Sequence, residues 1–296
     1  MLAVGSEGRA LFLATRLLKD PVLTISPRRY CLHTGTYKGT QVTIVCTGMG
    51  APAMDFLIRE AGFVLDGGNL AVIRLGTCGI IDRNVEPGTL MICDRSSYCY
   101  RNYAHFDGIL KCDDETSEVQ GVHDKVRASP YVITAPLEAD KELTDWLEQR
   151  IKEKGLRVKR GLNCSAETFY SCQGRLSPDW YDENEKVLDQ LIACGAVSVE
   201  METHQLFHLM RHRTRCLGRS RAASVLVGLV NRVNPSMANH VSAEDEEMAV
   251  LAAGEAALDA LVSLCDPESV SYNRQQTPVD VAALPPALKP DSWNGV

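Results

Sequence analysis

Two short segments hold the residue types that could do chemistry. Phe169-Tyr170-Ser171-Cys172-Gln173-Gly174-Arg175 sets an amide and a guanidinium two residues apart, just after an aromatic side chain. The amide both donates and accepts, while the guanidinium only donates. Such a pair suits the edge of a planar heterocycle whose face stacks on Phe169. Downstream, Glu200 and Glu202 lie two apart at the end of the apolar run Ala196-Val197-Ser198-Val199. A strand would aim both carboxylates at one face, where at least one could hold a sugar diol. A heterocycle reader and a diol clamp together imply a nucleoside as ligand.

An enzyme built on these parts would add a cradle for phosphate, and two turns are candidates. Met1-Leu2-Ala3-Val4 reads as the end of a strand, and Gly5-Ser6-Glu7-Gly8-Arg9 leads into the helical pattern Leu11, Leu13, Ala14, Leu17, Leu18. A glycine-rich turn there lets backbone N–H groups and a helix N-terminus approach an anion. The second candidate is Ala71-Val72-Ile73-Arg74-Leu75-Gly76-Thr77-Cys78-Gly79, a buried-strand pattern ending in small hydrogen-bonding residues. Arg74 is out of place in such a run unless it has a partner. An ordinary tight turn would account for either segment taken alone.

The elements that must position these residues alternate between short β-branched runs and helical patterns, which predicts an α/β fold. The expected strands are 1–5, 41–49, 70–75, 89–96, 158–166, 196–200 and 224–230. The expected helices are 7–18, 51–65, 141–154, 185–193, 203–213 and 244–264, the last with a capping signal at Ser242 and an Ala/Leu stripe for the core. Asn102–Pro130 is polar and reads as an excursion over one face. Residues 1–265 are expected to form one domain, and 266–296 a Pro-, Ser- and Asn-rich tail over its surface.

The ordered set of stretches resembles the nucleoside phosphorylase-I family, and within it the uridine-cleaving branch. The stretches are Gly5–Arg9, Cys46–Pro52, Arg74–Gly79, Glu167–Tyr170 with Gln173–Arg175, Val199–Glu202 and Leu229–Arg232. The resemblance implies a single-domain three-layer α/β/α fold with a mixed central sheet. It implies phosphate contacts from Gly5, Arg9, Arg74 and Thr77, with Cys78 and Gly79 in the same substrate-binding turn and Arg28 supplied by a neighbouring subunit. Phe169, Gln173 and Arg175 would meet the base, with Arg232 nearby, and Met201 and Glu202 the ribose. Arg74, Gln173, Arg175 and Glu202 would carry the catalysis. Purine-cleaving relatives carry a Ser-Asp pair after the late strand; here Val227-Gly228-Leu229-Val230-Asn231-Arg232 has no Asp, which favours a pyrimidine.

The implied reaction is reversible phosphorolysis of uridine, or of deoxyuridine, to uracil and ribose-1-phosphate, as in pyrimidine salvage. Orthophosphate is a co-substrate and no cofactor is implied. Arg29 stands where some bacterial relatives hold a monovalent cation with a Glu, so no metal is expected. A homodimer at least is implied, with a hexamer as the larger form. A purine phosphorylase or nucleoside hydrolase on the same fold, and an inactive nucleoside-binding relative, are the alternatives.

Composition bounds the rest. The 296 residues, 45% hydrophobic, can bury one large core, and a formal net charge of −7 offers no broad attraction to nucleic acid or an anionic membrane. The arginines 211, 213, 215, 219 and 221 read as a solvated connection rather than a nucleic-acid patch. No apolar run approaches the roughly 18 residues of a membrane span. Eleven scattered cysteines without CxxC pairs fit reduced thiols in the cytoplasm, with Cys46, Cys93 and Cys194 expected in the core. His204 and His208 have a zinc-compatible spacing, but no third ligand is evident, and they are expected to be a helix-surface pair.

Overall fold

The computed structural model describes residues 1–66, 68–108, 129–213, 220–237 and 239–264. Alternation along the strands decides which layer each side chain meets. In β1 (Leu2–Val4), Leu2 and Val4 enter one buried cluster and Ala3 another. The same parity runs through β4 (Thr40–Cys46), β5 (Leu70–Ile80), β6 (Leu90–Arg101) and β11 (Ser220–Asn231). Ile44, Ile73, Ile92 and Val225 face one side, and Val45, Val72, Met91 and Leu226 the other. A sheet apolar on both faces must be covered on both. Helices α1 (Glu7–Leu17), α4 (Lys141–Glu153) and α7 (Ala243–Val262) cover the first face; α2 (Ala51–Val64) and α6 (Thr203–Arg211) cover the second. This is the expected three-layer α/β/α arrangement.

The remaining strands are β2 (Lys19–Ile25), β3 (Cys31–Tyr37), β7 (Tyr131–Ile133), β8 (Leu137–Glu138), β9 (Val158–Ala166) and β10 (Ala196–Glu200). The mixed sheet runs β10-β9-β6-β11-β5-β1-β4-β3-β2, with β7 and β8 on β6. β10 also pairs antiparallel with β5, Ser198 to Ile80 and Val199 to Gly79. Strands β5, β11, β6, β9 and β10 therefore close into a ring. That closure brings the end of β10 over β5, and the chemistry-bearing residues gather there.

The six expected helices and seven expected strands are present, with ends shifted by a few residues. Three departures have clear causes. β2 is exposed along its whole length and contains Pro21, a pattern that reads as loop but is tolerated on an edge strand paired only with β3. β5 continues to Ile80 because β11 and β10 pair with it beyond its apolar stretch. α3 (Tyr103–Phe106) is a single turn too short to show a period. The expected tail, most of the polar excursion, Arg215 and Arg219 lie outside the described residues. Among the described arginines of that group, Arg213 donates to the Gly68 carbonyl (2.9 Å) and Arg221 to Glu142 (2.6 Å), both structural roles.

Candidate active site

At the end of β1 the chain turns through Gly5 into α1. Ser6 caps that helix, its Oγ accepting from the Arg9 N–H at 3.3 Å. The cap fixes Arg9 in the first turn, where its guanidinium lies near that of Arg74. Burial, together with repulsion from Arg74, holds the Arg9 guanidinium below its ordinary pKa despite the carboxylate of Glu246. Two mutually repelling guanidiniums at a helix N-terminus make a site for an anion. Glu7 is exposed, as an anion site there requires.

Arg74 is 3% exposed and is partnered on both sides. Its Nε donates to Glu200 Oε2 at 3.1 Å, and its Nη2 donates to Glu202 Oε2. Its Nη1 is buried with no hydrogen-bond partner. The parity that sends Ile73 and Leu75 into the first core layer sends Arg74 to the opposite face, toward α2 and α6. β10 ends at Glu200, so Glu202 lies just past the strand, yet both carboxylates converge on Arg74 as their spacing predicts.

The two carboxylates differ in their environments. Glu200 accepts from Asn163 (2.8 Å), Ser165 (2.5 Å) and the backbone N–H groups of Glu202 (2.9 Å) and Thr203 (3.1 Å). Burial works against its charge, but Arg74 and these donors outweigh it and hold its carboxyl below the usual range. Glu202 accepts from the Gly50 N–H at 2.5 Å, at the start of α2. Burial and the charge of Glu200 outweigh Arg74 there and raise its carboxyl. Glu202 holds the N-cap position of α6 without making a capping bond; Glu200 meets those N–H groups instead. Arg74 responds to both: burial lowers its pKa, and the two carboxylates more than restore it.

The residues expected to meet a heterocycle form a second group. Gln173, 2% exposed, sits in a single helical turn (Ser171–Gln173), and its backbone carbonyl accepts from Arg232 Nη2 at 2.7 Å. Its side-chain amide makes no hydrogen bond among the described residues. Arg175 donates from Nε to the Phe169 carbonyl (3.1 Å), and its guanidinium lies 4.1 Å from the Phe169 ring centroid. The ring face expected to meet a base thus carries the Arg175 guanidinium. Burial and the neighbouring Arg175 push the Arg232 guanidinium down to about 10, and its Nη1 is buried without a partner. The Arg232 stem crosses Gly79 so closely that a Cβ there would be 2.6 Å from its Cδ, so a larger residue would displace Arg232.

Thr77 and Met201 are half-buried. The Cys78 side chain is in the core, where burial raises its thiol, so only its backbone is free to meet a ligand. Arg28 is bonded within its own chain to Glu60 (2.5 Å) and stacks on Phe56 at 4.3 Å. His204 stacks on Tyr98 (5.4 Å) with His208 one turn further. Among the described residues no group of three or more His, Cys, Asp or Glu could hold a metal. The described cysteines are free thiols; Cys46 and Cys93 are buried as expected, but Cys194 is exposed, because it ends the short helix α5 (Val187–Ala193). No described helix is long and apolar enough to cross a membrane.

Sequence reasoning missed Gly50, which sits inside a recognised stretch but acts through its backbone, and Glu246, which is 237 residues from its partner. The assembled site offers buried cations to an anion, a carboxylate to a diol, and two guanidiniums with an amide to a heterocycle.

The chain is similar in sequence and in fold to known proteins. A purine nucleoside phosphorylase of the DeoD type from Streptococcus uberis is 28% identical over 223 residues, covering 74% of this chain and 77% of the relative. One from Vibrio parahaemolyticus is 28% identical over 207 residues, covering 70% and 72%. A solved structure from work on two diverse uridine phosphorylases in the oomycete Phytophthora capsici superposes with a TM-score of 0.75 at 30% identity, covering 88% of this chain and 89% of that one. The profile of the phosphorylase superfamily matches residues 1–263, nearly the whole described fold, and the chain belongs to that superfamily.

Proposed function

We propose that the chain is a uridine phosphorylase, transferring the ribosyl group of uridine to orthophosphate and releasing uracil. The observation that carries this reading is the base end of the site. Arg175 and Arg232 lie together there, and neither has a carboxylate partner among the described residues. Asn231, next to Arg232, is fully engaged: its amide donates to the Asp82 and Val85 carbonyls (both 2.8 Å), and its Oδ1 accepts from the N–H groups of Val233 and Asn234. Among the described residues no acid pairs with Arg175 or Arg232 at the base end, whereas two cations and an amide suit the carbonyl oxygens of uracil.

In the proposed reaction orthophosphate lies between Arg9 and the free Nη1 of Arg74, beneath the sugar. A phosphate oxygen forms a bond to the anomeric carbon as the bond from that carbon to the base nitrogen breaks. The electron pair of the breaking bond passes into the uracil ring. Arg175, Arg232 and Gln173 stabilise that developing charge, which is stronger in the transition state than in bound uridine. Glu202 holds the ribose hydroxyls so that attack is in line. Orthophosphate is the co-substrate, and the chemistry calls for no cofactor.

Residues 1–265 are proposed to act as one domain in at least a homodimer, a hexamer being the larger form. Arg28 of each copy would then complete the phosphate site of the other. A reduced, cytoplasmic setting is proposed on the strength of the free thiols.

A second reading, phosphorolysis of purine nucleosides, is favoured by the DeoD-type relatives. Comparing kcat/KM for uridine and inosine at saturating phosphate separates the two. Uridine should be preferred at least about tenfold, and a preference for inosine would overturn the pyrimidine reading.

A further inference from the structure

Arg9 has a partner that the reaction does not call for. Glu246 Oε1 lies 3.4 Å from Arg9 Nη2, a contact between the first turns of α7 and α1. α7 does not need this carboxylate for its own N-terminus. Ser242 caps it by accepting from the Asp245 N–H (3.1 Å), the Ser242 hydroxyl donates to the Asp245 carboxylate (2.7 Å), and Glu244 and Asp245 already oppose the helix dipole. Packing brings Glu246 across. At Gly254, two turns further along α7, an added Cβ would lie 2.6 Å from Leu13 Cδ2 of α1, so the two helices meet with almost nothing between them.

The contact is long, and the Glu246 side chain is 33% exposed against 16% for Arg9. The carboxylate can therefore swing into water while the guanidinium stays in place. The neighbouring guanidinium, Arg74, is already paired with Glu200 and Glu202. A carboxylate paired with Arg9 as well lowers the attraction of the site for a dianion. We propose that Glu246 is an internal competitor for the anion site, holding Arg9 between turnovers and weakening orthophosphate binding. The proposal rests on the reading of Arg9 as a phosphate ligand. A merely structural partner would have the opposite effect on removal, because Arg9 would lose its orientation and phosphate would bind less tightly.

Calorimetric titration of orthophosphate into the protein, without nucleoside, distinguishes these cases. Glu246→Gln keeps the shape and removes the charge. It should tighten phosphate binding roughly three- to tenfold, the scale of one partly screened charge a few ångströms away. Its effect should vanish in an Arg9→Gln background, and the KM for nucleoside should stay within about twofold. Unchanged or weaker phosphate binding in Glu246→Gln, with Arg9→Gln clearly weakened, overturns the proposal and leaves the anion site standing. Phosphate binding in Arg9→Gln equal to the parent protein overturns the anion-site reading itself.

Discussion

Replacing Arg74 by Met should expose the energetics of the site most clearly. Arg74 is 3% exposed and donates to two carboxylates that are 5% and 3% exposed. A hydrogen bond to a charged group contributes about 1.5–3 kcal/mol, and stranding a buried charge costs about 3–5 kcal/mol. The two figures overlap, so a loss of about 3–5 kcal/mol is expected. For a chain of this size that lowers the melting temperature by roughly 6–20 °C. The pH dependence gives the sharper test. In the parent protein Glu200 is held below the ordinary carboxylate range, so its contribution is present above that range and lost as pH falls through its lower folded value. Without Arg74, burial and the mutual repulsion of the two carboxylates are opposed only by the remaining hydrogen-bond donors, so both carboxyls rise and the variant regains stability as pH falls through those raised values. Thermal unfolding of both proteins should show the gap narrowing from about pH 7.5 to about pH 5. A gap that is constant or widens toward acid would refute the assignment of Glu200 and Glu202 as the partners of a buried Arg74.

Three further outcomes follow from the same geometry. Arg175→Ala should lower kcat/KM for uridine by about 2–4 kcal/mol of barrier, the scale of one donor to a developing anion, while Phe169→Leu should cost far less; steady-state kinetics with equal losses would put the energy in stacking. If Glu202 holds the ribose hydroxyls, its ionised form makes the stronger, charge-assisted bonds, and its carboxyl is raised by burial and by Glu200, so kcat/KM for nucleoside should fall as pH drops through a value above the ordinary glutamate pKa of about 4.3. That acid limb should be missing from the residual activity of Glu202→Gln. Mixing inactive Arg28→Ala with inactive Glu202→Ala should restore up to about half the activity of the mixed dimer, since one composite site would be intact; no recovery despite demonstrated subunit exchange would place Arg28 outside the site.

The parts of the site that were legible in sequence are those where a residue type contradicts its surroundings. An arginine in the apolar run before Gly76 demands a carboxylate, and Glu200 and Glu202 supply two. The amide and guanidinium at 173 and 175 stood out by type, and the structure gathers them with Arg232. What remained hidden acts through the backbone or across long separations. The Gly50 N–H has no side chain to announce it, and nothing local to Glu246 points to Arg9. The edge strand β2 was illegible because an exposed strand needs no alternation and can accept Pro21. The ring closure of β10 onto β5 is a pairing of distant segments, while each strand alone showed only its apolar content.

The central claim, ribosyl transfer from uridine to phosphate, is tested most directly by following the fate of phosphorus. Phosphorus-31 NMR of the protein with uridine and orthophosphate should show ribose-1-phosphate appearing in step with uracil, and no uracil release when phosphate is withheld. Uracil released together with free ribose, at the same rate with and without phosphate, would contradict the account and assign the site to a hydrolase.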